Sequence, residues 1–272
     1  MFGLASALTW GAGDFSGGLS SRRAPVFGVV VATQALGLIL AGLVALGLRE
    51  PLPTLVEAVW AAAAGMAGAV GICALYRGLA TGRMGVVAPI TGVLAAAIPV
   101  VVGGLLEGPP SPVRALGILL ALTSVAVVSR STGPGGGRSA IGLALLGGAG
   151  LGLFAVFISR LSDGHVFAPL AIARGADIVL LGVVVALSRQ AWRLPRPVLP
   201  LVLLAGVLDM SGNAFFILSA QSGRLDVAAV LSSLYPVTTI ILAALVLRER
   251  LGRAHAFGVG LAIAAIILIA GG

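Results

Sequence analysis

Residues 209–250 read DMSGNAFFILSAQSGRLDVAAVLSSLYPVTTIILAALVLRER, and this stretch holds the pattern that decides the fold. Two apolar runs flank a short polar corner at residues 221–226. The second run ends abruptly in the charged segment Arg248, Glu249 and Arg250. As a helix, each run is long enough to cross a hydrocarbon core of about 30 Å. A soluble helix of this composition would have to bury all its sides, so the pattern predicts membrane-spanning helices.

The composition of the whole chain agrees with this interpretation. Hydrophobic residues make up 59% of the 272 residues and charged residues only 10%. A typical soluble domain is about a quarter charged. The 40 glycines fit as well, because small residues let membrane helices approach closely. We therefore predict an all-α integral membrane protein in the cell (inner) membrane, with the lipid bilayer as its main partner.

The net charge of +8 comes from 17 basic residues, all of them arginine. These arginines lie in short loops between apolar runs and not along one helix face. The positive-charge bias of membrane loops explains them better than nucleic-acid binding does, so we expect no nucleic-acid partner. Most of them follow odd-numbered spans, which indicates that these loops are cytoplasmic and both termini are outside.

Hydropathy and chain breakers predict about ten spans. The predicted spans are 2–20, 26–48, 57–79, 84–106, 112–129, 139–160, 166–187, 198–220, 226–247 and 254–271. Each break between them pairs a turn-forming residue with a charge. The Gly-rich linker 131–139 falls near the middle of the chain and is expected to join two five-helix halves.

The two halves are related by an internal repeat. An offset of about 141 residues lays Gly82 on Gly223 and Gly117 on Gly258, and the hydropathy profile and charged break coincide as well. Five is an odd number, so two copies in series must cross the membrane in opposite directions. Many secondary transporters have this inverted-repeat plan, with the substrate site near the midplane between the halves. The alternative is a duplicated bundle without a cavity.

Three segments carry a resemblance to a known family. They are ALTWGAGDFSGGLSSRR at 7–23, the Pro89-containing fourth span that ends at Glu107, and LRERLGRAHAFGVGLAI at 247–263. Together with the repeat, they resemble the EamA-domain transporters of the drug/metabolite transporter superfamily. The resemblance covers two units, 2–130 and 140–271. It implies a ten-helix basket whose central cavity passes small organic solutes, often as an exporter, in a monomer or homodimer. It also implies cytoplasmic termini, opposite to the arginine pattern.

Four charged residues stand out because they lie well inside predicted spans and not near a span end: Asp14, Arg174, Asp177 and Asp209. Charges within a bilayer are costly and usually face a cavity or a partner. Arg174 and Asp177 are three residues apart and share one helix face. They form a mutual ion pair, or Arg174 binds a substrate carboxylate or a neighbouring acid. Gln34 occupies the related position of the second span, which suggests that Gln34 and Arg174 line one cavity.

Trp10 and Asp14 are four residues apart, so both lie on one face of the first span. An aromatic ring beside a carboxylate is suited to a cationic or amphipathic solute. Alternatively, Asp14 carries a proton, which would make protons the coupling ion, or it bonds only a nearby hydroxyl. These interpretations stay open at the level of sequence.

Asp209 and Asn213, also four residues apart, are expected to face the cavity because lipid would be a poor neighbour. Tyr76 and Tyr235 can each stack on a solute and hydrogen-bond to it. Pro99 and Pro236 are candidate hinges or fixed kinks in their spans.

The search for catalytic, metal or cofactor sites finds no convincing pattern. His165 and His255 are isolated in loops, and the Gly-Ala-Gly-Leu-Gly run at 148–152 follows no strand, so we interpret it as a packing motif. We expect no cofactor. The sequence predicts a secondary transporter of amino acids, metabolites or drugs that works by alternating access. The alternative is an intramembrane enzyme acting on a lipid or peptide through the three aspartates.

Overall fold

The computed structural model describes residues 2–82, 84–107, 111–131, 137–162, 164–221, 232, 234–248 and 253–271. These residues form ten α-helices and one short 3-10 turn, Arg196–Val198, before α8. The helices are α1 (Phe2–Ser21), α2 (Val26–Leu48), α3 (Leu55–Thr81), α4 (Met84–Glu107), α5 (Pro112–Ser131), α6 (Gly137–Ile158), α7 (Phe167–Ser188), α8 (Leu199–Gln221), α9 (Tyr235–Val246) and α10 (Arg253–Gly271).

Among the described residues, five helical segments are long and apolar enough to cross a membrane. They are Val26–Leu48, Leu55–Thr81, Ser139–Ile158, Phe167–Ser188 and Arg196–Ser219. Shorter apolar stretches lie in α4, α9 and α10. Many large hydrophobic side chains on these helices are exposed, Leu46 and Leu187 among them at 77% and 81%. Such surfaces suit hydrocarbon and not water, so the chain is a multi-pass membrane protein.

The helix pairings follow a regular scheme. Helix α1 packs on α8, and α3 packs on α6. Adding five to each helix number, and subtracting ten where the sum exceeds ten, converts the first pair into the second. The same rule relates α2–α8 to α3–α7 and α1–α9 to α4–α6, and it maps α2–α7 onto itself. The described helices therefore make equivalent contacts in the two halves of the chain.

Helices α2 and α7 run antiparallel side by side. Just beyond the end of α2, the Glu50 carboxylate accepts hydrogen bonds from the backbone N–H groups of Val166, Phe167 and Ala168 at the start of α7. At the other end, a Cβ on Gly28 in the first turn of α2 would lie 2.1 Å from the carbonyl oxygen of Trp192, beyond α7. Carboxylate bonding to free N–H groups is the usual way to cap a helix start.

Glycines in α1 allow three other helices to approach its backbone. A Cβ on Gly11 would lie 2.4 Å from the carbonyl oxygen of Tyr235 in α9. A Cβ on Gly17 would overlap the ring of Tyr76 in α3. Between them, Gly13 packs against the backbone of α8. Helix α1 therefore packs closely against α3, α8 and α9.

Helix α6 repeats this arrangement. Gly148 packs on Leu94 in α4, and Gly150 meets the backbone of Gly71 in α3. The Gly-Ala-Gly sequences at 11–13 and 148–150 thus occupy equivalent places, since α4 corresponds to α9 and α3 to α8. The predicted packing role of residues 148–152 is confirmed by these contacts.

Helix α5 ends at Ser131 and α6 begins at Gly137, so both ends of the predicted linker 131–139 touch helices, and residues 132–136 lie outside the described ones. Pro236, predicted as a hinge or a fixed kink in the ninth span, lies at the start of α9. The missing N–H of proline costs nothing at this position, because the first N–H groups of a helix have no acceptor within the helix. Most of 226–234, the first part of the predicted ninth span, and Glu249 also lie outside the described residues.

Helix α4 contains both Pro89 and Pro99 in its interior. A proline inside a helix removes one backbone hydrogen bond and favours a kink.

A pair of glycine variants tests the close packing. A Cβ on Gly65 would lie 2.1 Å from the carbonyl oxygen of Ala173, whereas one on Gly42 would meet nothing within 4 Å. We expect Gly65→Ala to lower the free energy of unfolding by about 1–3 kcal/mol, because the backbones must separate. Gly42→Ala is the matched control and should leave stability unchanged or slightly raised. Denaturant unfolding in detergent micelles measures both, and equal stability of the two variants would contradict the packing described.

Candidate functional site

Arg174 of α7 is the centre of a buried ionic network. Its Nη2 donates a hydrogen bond to Oδ2 of Asp209 in α8 at 2.7 Å. Its Nη1 donates to Oδ2 of Asp177, one turn further along α7, at 3.2 Å. The side chain of Arg174 is only 6% exposed, so the two carboxylates replace water as its partners.

Gln34 connects this network to α2 in the other half of the chain. Its Nε2 donates to the same oxygen of Asp177 at 2.5 Å, and both residues are buried. Gly37, one turn further along α2, leaves room for the guanidinium, because a Cβ there would lie 3.3 Å from Nε of Arg174. The structure therefore brings Gln34 and Arg174 together on one carboxylate.

The network lies near the middle of its helices. Gln34, Arg174, Asp177 and Asp209 are each at least seven residues, about 10 Å, from either end of the helix that carries them. Asp14 in α1 satisfies the same criterion. These five polar or charged residues therefore all lie far from both ends of their helices.

Asp14 approaches the network from α1. Its neighbour Gly13 packs on α8 at Asp209, with a Cβ position 3.3 Å from the Asp209 amide nitrogen. Among the described residues, the Asp14 carboxylate makes no hydrogen bond and no ion pair. Arg174 is bonded to two aspartates, Asp177 and Asp209, and Asp14 has no cationic partner in the described part of the chain.

Three aromatic rings pack together beside Asp14. The ring of Trp10 lies 5.4 Å from that of Phe216 and 6.2 Å from that of Tyr235, the second in an edge-on geometry. Trp10 is one helical turn before Asp14 on α1. Aromatic rings and a carboxylate thus lie close together, and this combination is suited to binding a cationic group.

Some polar atoms of the site have no hydrogen-bond partner among the described residues. They are Nε of Arg174, Oδ1 of Asp177 and the hydroxyl of Tyr235, all buried. Buried polar atoms are bonded in the great majority of cases, so these three indicate where a bound molecule or water would find donors and acceptors.

The nine predicted site residues fall into adjoining groups. Gln34, Arg174, Asp177 and Asp209 form the network, and Trp10 and Tyr235 pack together beside Asp14. Tyr76 is buried against Gly17, one turn beyond Asp14 on α1. Asn213 instead donates to the backbone carbonyl of Asp209, 2.7 Å away within the same helix. The mutual ion pair predicted for Arg174 and Asp177 is present, and Arg174 also binds a neighbouring acid, Asp209.

Two parts of the site lie outside the predicted set of nine residues. Phe216 completes the aromatic group, and the sequence places it only loosely on the face that Asp209 and Asn213 share. Gly13 and Gly37 allow the backbones to approach Asp209 and Arg174. Their spacing from Asp14 and Gln34, within one helical turn, was visible in the sequence but is common in membrane helices.

The comparisons with known proteins give one family match and one structural likeness. Residues 138–271 match the model of the EamA-like transporter family. A crystal structure of a protein with 16% sequence identity superposes with a TM-score of 0.69, over 98% of this chain and 95% of that one. This likeness shows a shared fold. No curated protein matches the sequence.

The hydrogen bond between the halves can be tested with two glutamine variants. Gln34→Leu removes a donor to a buried carboxylate, so we expect the free energy of unfolding to fall by about 1.5–3 kcal/mol. Gln190 is exposed, and Gln190→Leu should change it by no more than about 0.5 kcal/mol. Equilibrium unfolding in micelles compares them. Indistinguishable stabilities would show that the bond to Asp177 contributes nothing.

Proposed function

We propose that this membrane protein is a secondary transporter of small organic solutes, because residues 138–271 match the model of the EamA-like transporter family, which belongs to the drug/metabolite transporter superfamily. The observation that carries the proposal is the polar network at the middle of the helices, with buried donors and acceptors left unbonded beside it. Intramembrane charges of this kind commonly mark a substrate or ion pathway.

The charge balance of the site favours a solute with a protonated amine. The site holds one guanidinium, that of Arg174, and three carboxyl groups, those of Asp14, Asp177 and Asp209, so it is rich in negative charge. Arg174 is already bonded to two of these carboxyls and is less available for a substrate carboxylate. Asp14, with Trp10 one turn away, is the group that we assign to the amine. Amino acids, amine metabolites and cationic drugs all carry such a group.

Asp14 also serves as the candidate proton carrier. A carboxyl without a cation partner in an apolar bundle binds either a proton or a cationic solute, but not both. Competition of this kind couples the movement of a proton in one direction to the movement of solute in the other. Export from the cell across the inner membrane is the direction that we propose.

Alternating access would use the two halves, residues 2–130 and 140–271, as inverted five-helix repeats. Three observations support this plan: the equivalent pairings of the described helices, the antiparallel contact of α2 with α7, and the matching Gly-Ala-Gly contacts of α1 and α6. Gln34 and Asp177 join the halves at the site, so a change in their relative tilt would alter the site directly.

Flux into proteoliposomes tests the function. With a pH gradient imposed, we expect one or more amines of a panel of amino acids and cationic drugs to move with the purified protein and not without it. Asp14→Asn should lower this flux by about tenfold or more, since a bond to a charged group contributes about 1.5–3 kcal/mol. Trp10→Leu should weaken solute binding by removing the aromatic face.

Trp192→Leu is the matched control, because Trp192 is 55% exposed and lies beyond the end of α7, 18 residues after Arg174. This variant should transport like the parent. Flux that persists in both Asp14→Asn and Trp10→Leu would place the site elsewhere. The absence of flux for every solute, together with chemical turnover of a lipid or peptide, would replace the transporter with an intramembrane enzyme.

A further inference from the structure

A cavity lies apart from the ionic network. It has a volume of about 540 Å³ and is enclosed by the first turn of α2, the second half of α3, the start of α6 and the end of α7. None of the nine predicted site residues lines it. Its volume falls within the range of small-molecule sites, about 300–1,000 Å³.

The body of the cavity is apolar and opens sideways. Val70 of α3 and Leu146 of α6 line it and are 44% and 50% exposed, so this side faces the hydrocarbon of the bilayer. Leu181 of α7 lies buried at its wall. Because the cavity opens toward the lipid, we call it the lipid-facing groove. An extended hydrocarbon chain can enter such a groove from the bilayer without displacing water.

The end of the cavity near the C-terminus of α3 is polar and positively charged. Val70, Cys73 and Arg77 follow one another at helical spacing along the cavity, so Arg77 lies about 10 Å further along α3 than Val70. Arg77 is exposed, and no lining residue is acidic. The acids Glu50 and Glu57 lie at the opposite ends of α2 and α3.

Ser21 gives an independent indication of a ligand. It lines the same end of the cavity and is 9% exposed, yet its hydroxyl has no hydrogen-bond partner among the described residues. A buried hydroxyl without a partner is costly, and a ligand oxygen would satisfy it. The Thr81 hydroxyl lines this end as well, but it donates to the carbonyl of Arg77.

We propose that this groove binds an anionic phospholipid, with an acyl chain along α3, α6 and α7 and the phosphate at Arg77 and Ser21. The apolar body matches the chain, and the cation and free hydroxyl match the phosphate and its negative headgroup. Basic pockets between membrane helices recognise anionic headgroups through the same chemistry. The site does not depend on the transport activity proposed above.

Native mass spectrometry of the intact protein measures the binding. The protein is released from micelles that contain equal amounts of phosphatidylglycerol and phosphatidylcholine with identical chains. We expect bound phosphatidylglycerol to exceed bound phosphatidylcholine by about fivefold, the effect of one arginine at a membrane surface. Arg77→Gln should abolish this preference. Arg23→Gln removes an exposed arginine near the same end that does not line the cavity, and it should keep the preference.

Val70→Trp tests the position of the chain separately. It fills the groove from the lipid side without changing a charge, so we expect it to reduce the binding of both lipids while the folded protein is retained. Equal binding of the two lipids by the parent would overturn the proposal. An equal loss of preference in Arg77→Gln and Arg23→Gln would also overturn it, because general surface charge and not this groove would then select the lipid. Unchanged lipid binding by Val70→Trp would show that the acyl chain does not lie in this groove.

Discussion

A guanidinium buried within a bundle of apolar helices must have anionic partners, and the site depends on this constraint. Arg174 meets it with Asp177 from its own helix and Asp209 from the next one. Because an unpaired buried Arg174 or Asp209 would be costly, α7 and α8 must be rotated so that these two side chains meet. Gln34 then bonds the same carboxylate from α2, so the constraint reaches into the other half of the chain.

Close approach of the helices makes this network possible. Glycines in α1 bring Tyr235, Asp209 and Tyr76 around one helix, and the related glycines of α6 do the same for α3 and α4. Association of membrane helices depends on such packing, since lipid tails are as apolar as the side chains. The site residues are thus positioned by small residues that carry no chemistry of their own.

The helices and the charged residues could be predicted from sequence because each lone charge stands out in an apolar run. Asp14, Arg174, Asp177 and Asp209 were all recognised in this way. The bond between Arg174 and Asp209 could not be predicted, because a separation of 35 residues across two helices carries no rotational information. The position of Pro236 at the start of α9 could not be predicted, because hydropathy does not show where a helix begins inside a continuous apolar run.

The most direct test of the central claim is a double-mutant cycle on Arg174 and Asp209, measured by equilibrium unfolding in micelles. Arg174→Gln alone should cost about 3–5 kcal/mol, because it strands two buried carboxylates. Adding Asp209→Asn should recover part of this loss, which gives a coupling energy above about 1 kcal/mol. If the two single effects add to within about 0.5 kcal/mol, the two side chains do not depend on each other and the network does not hold the site together.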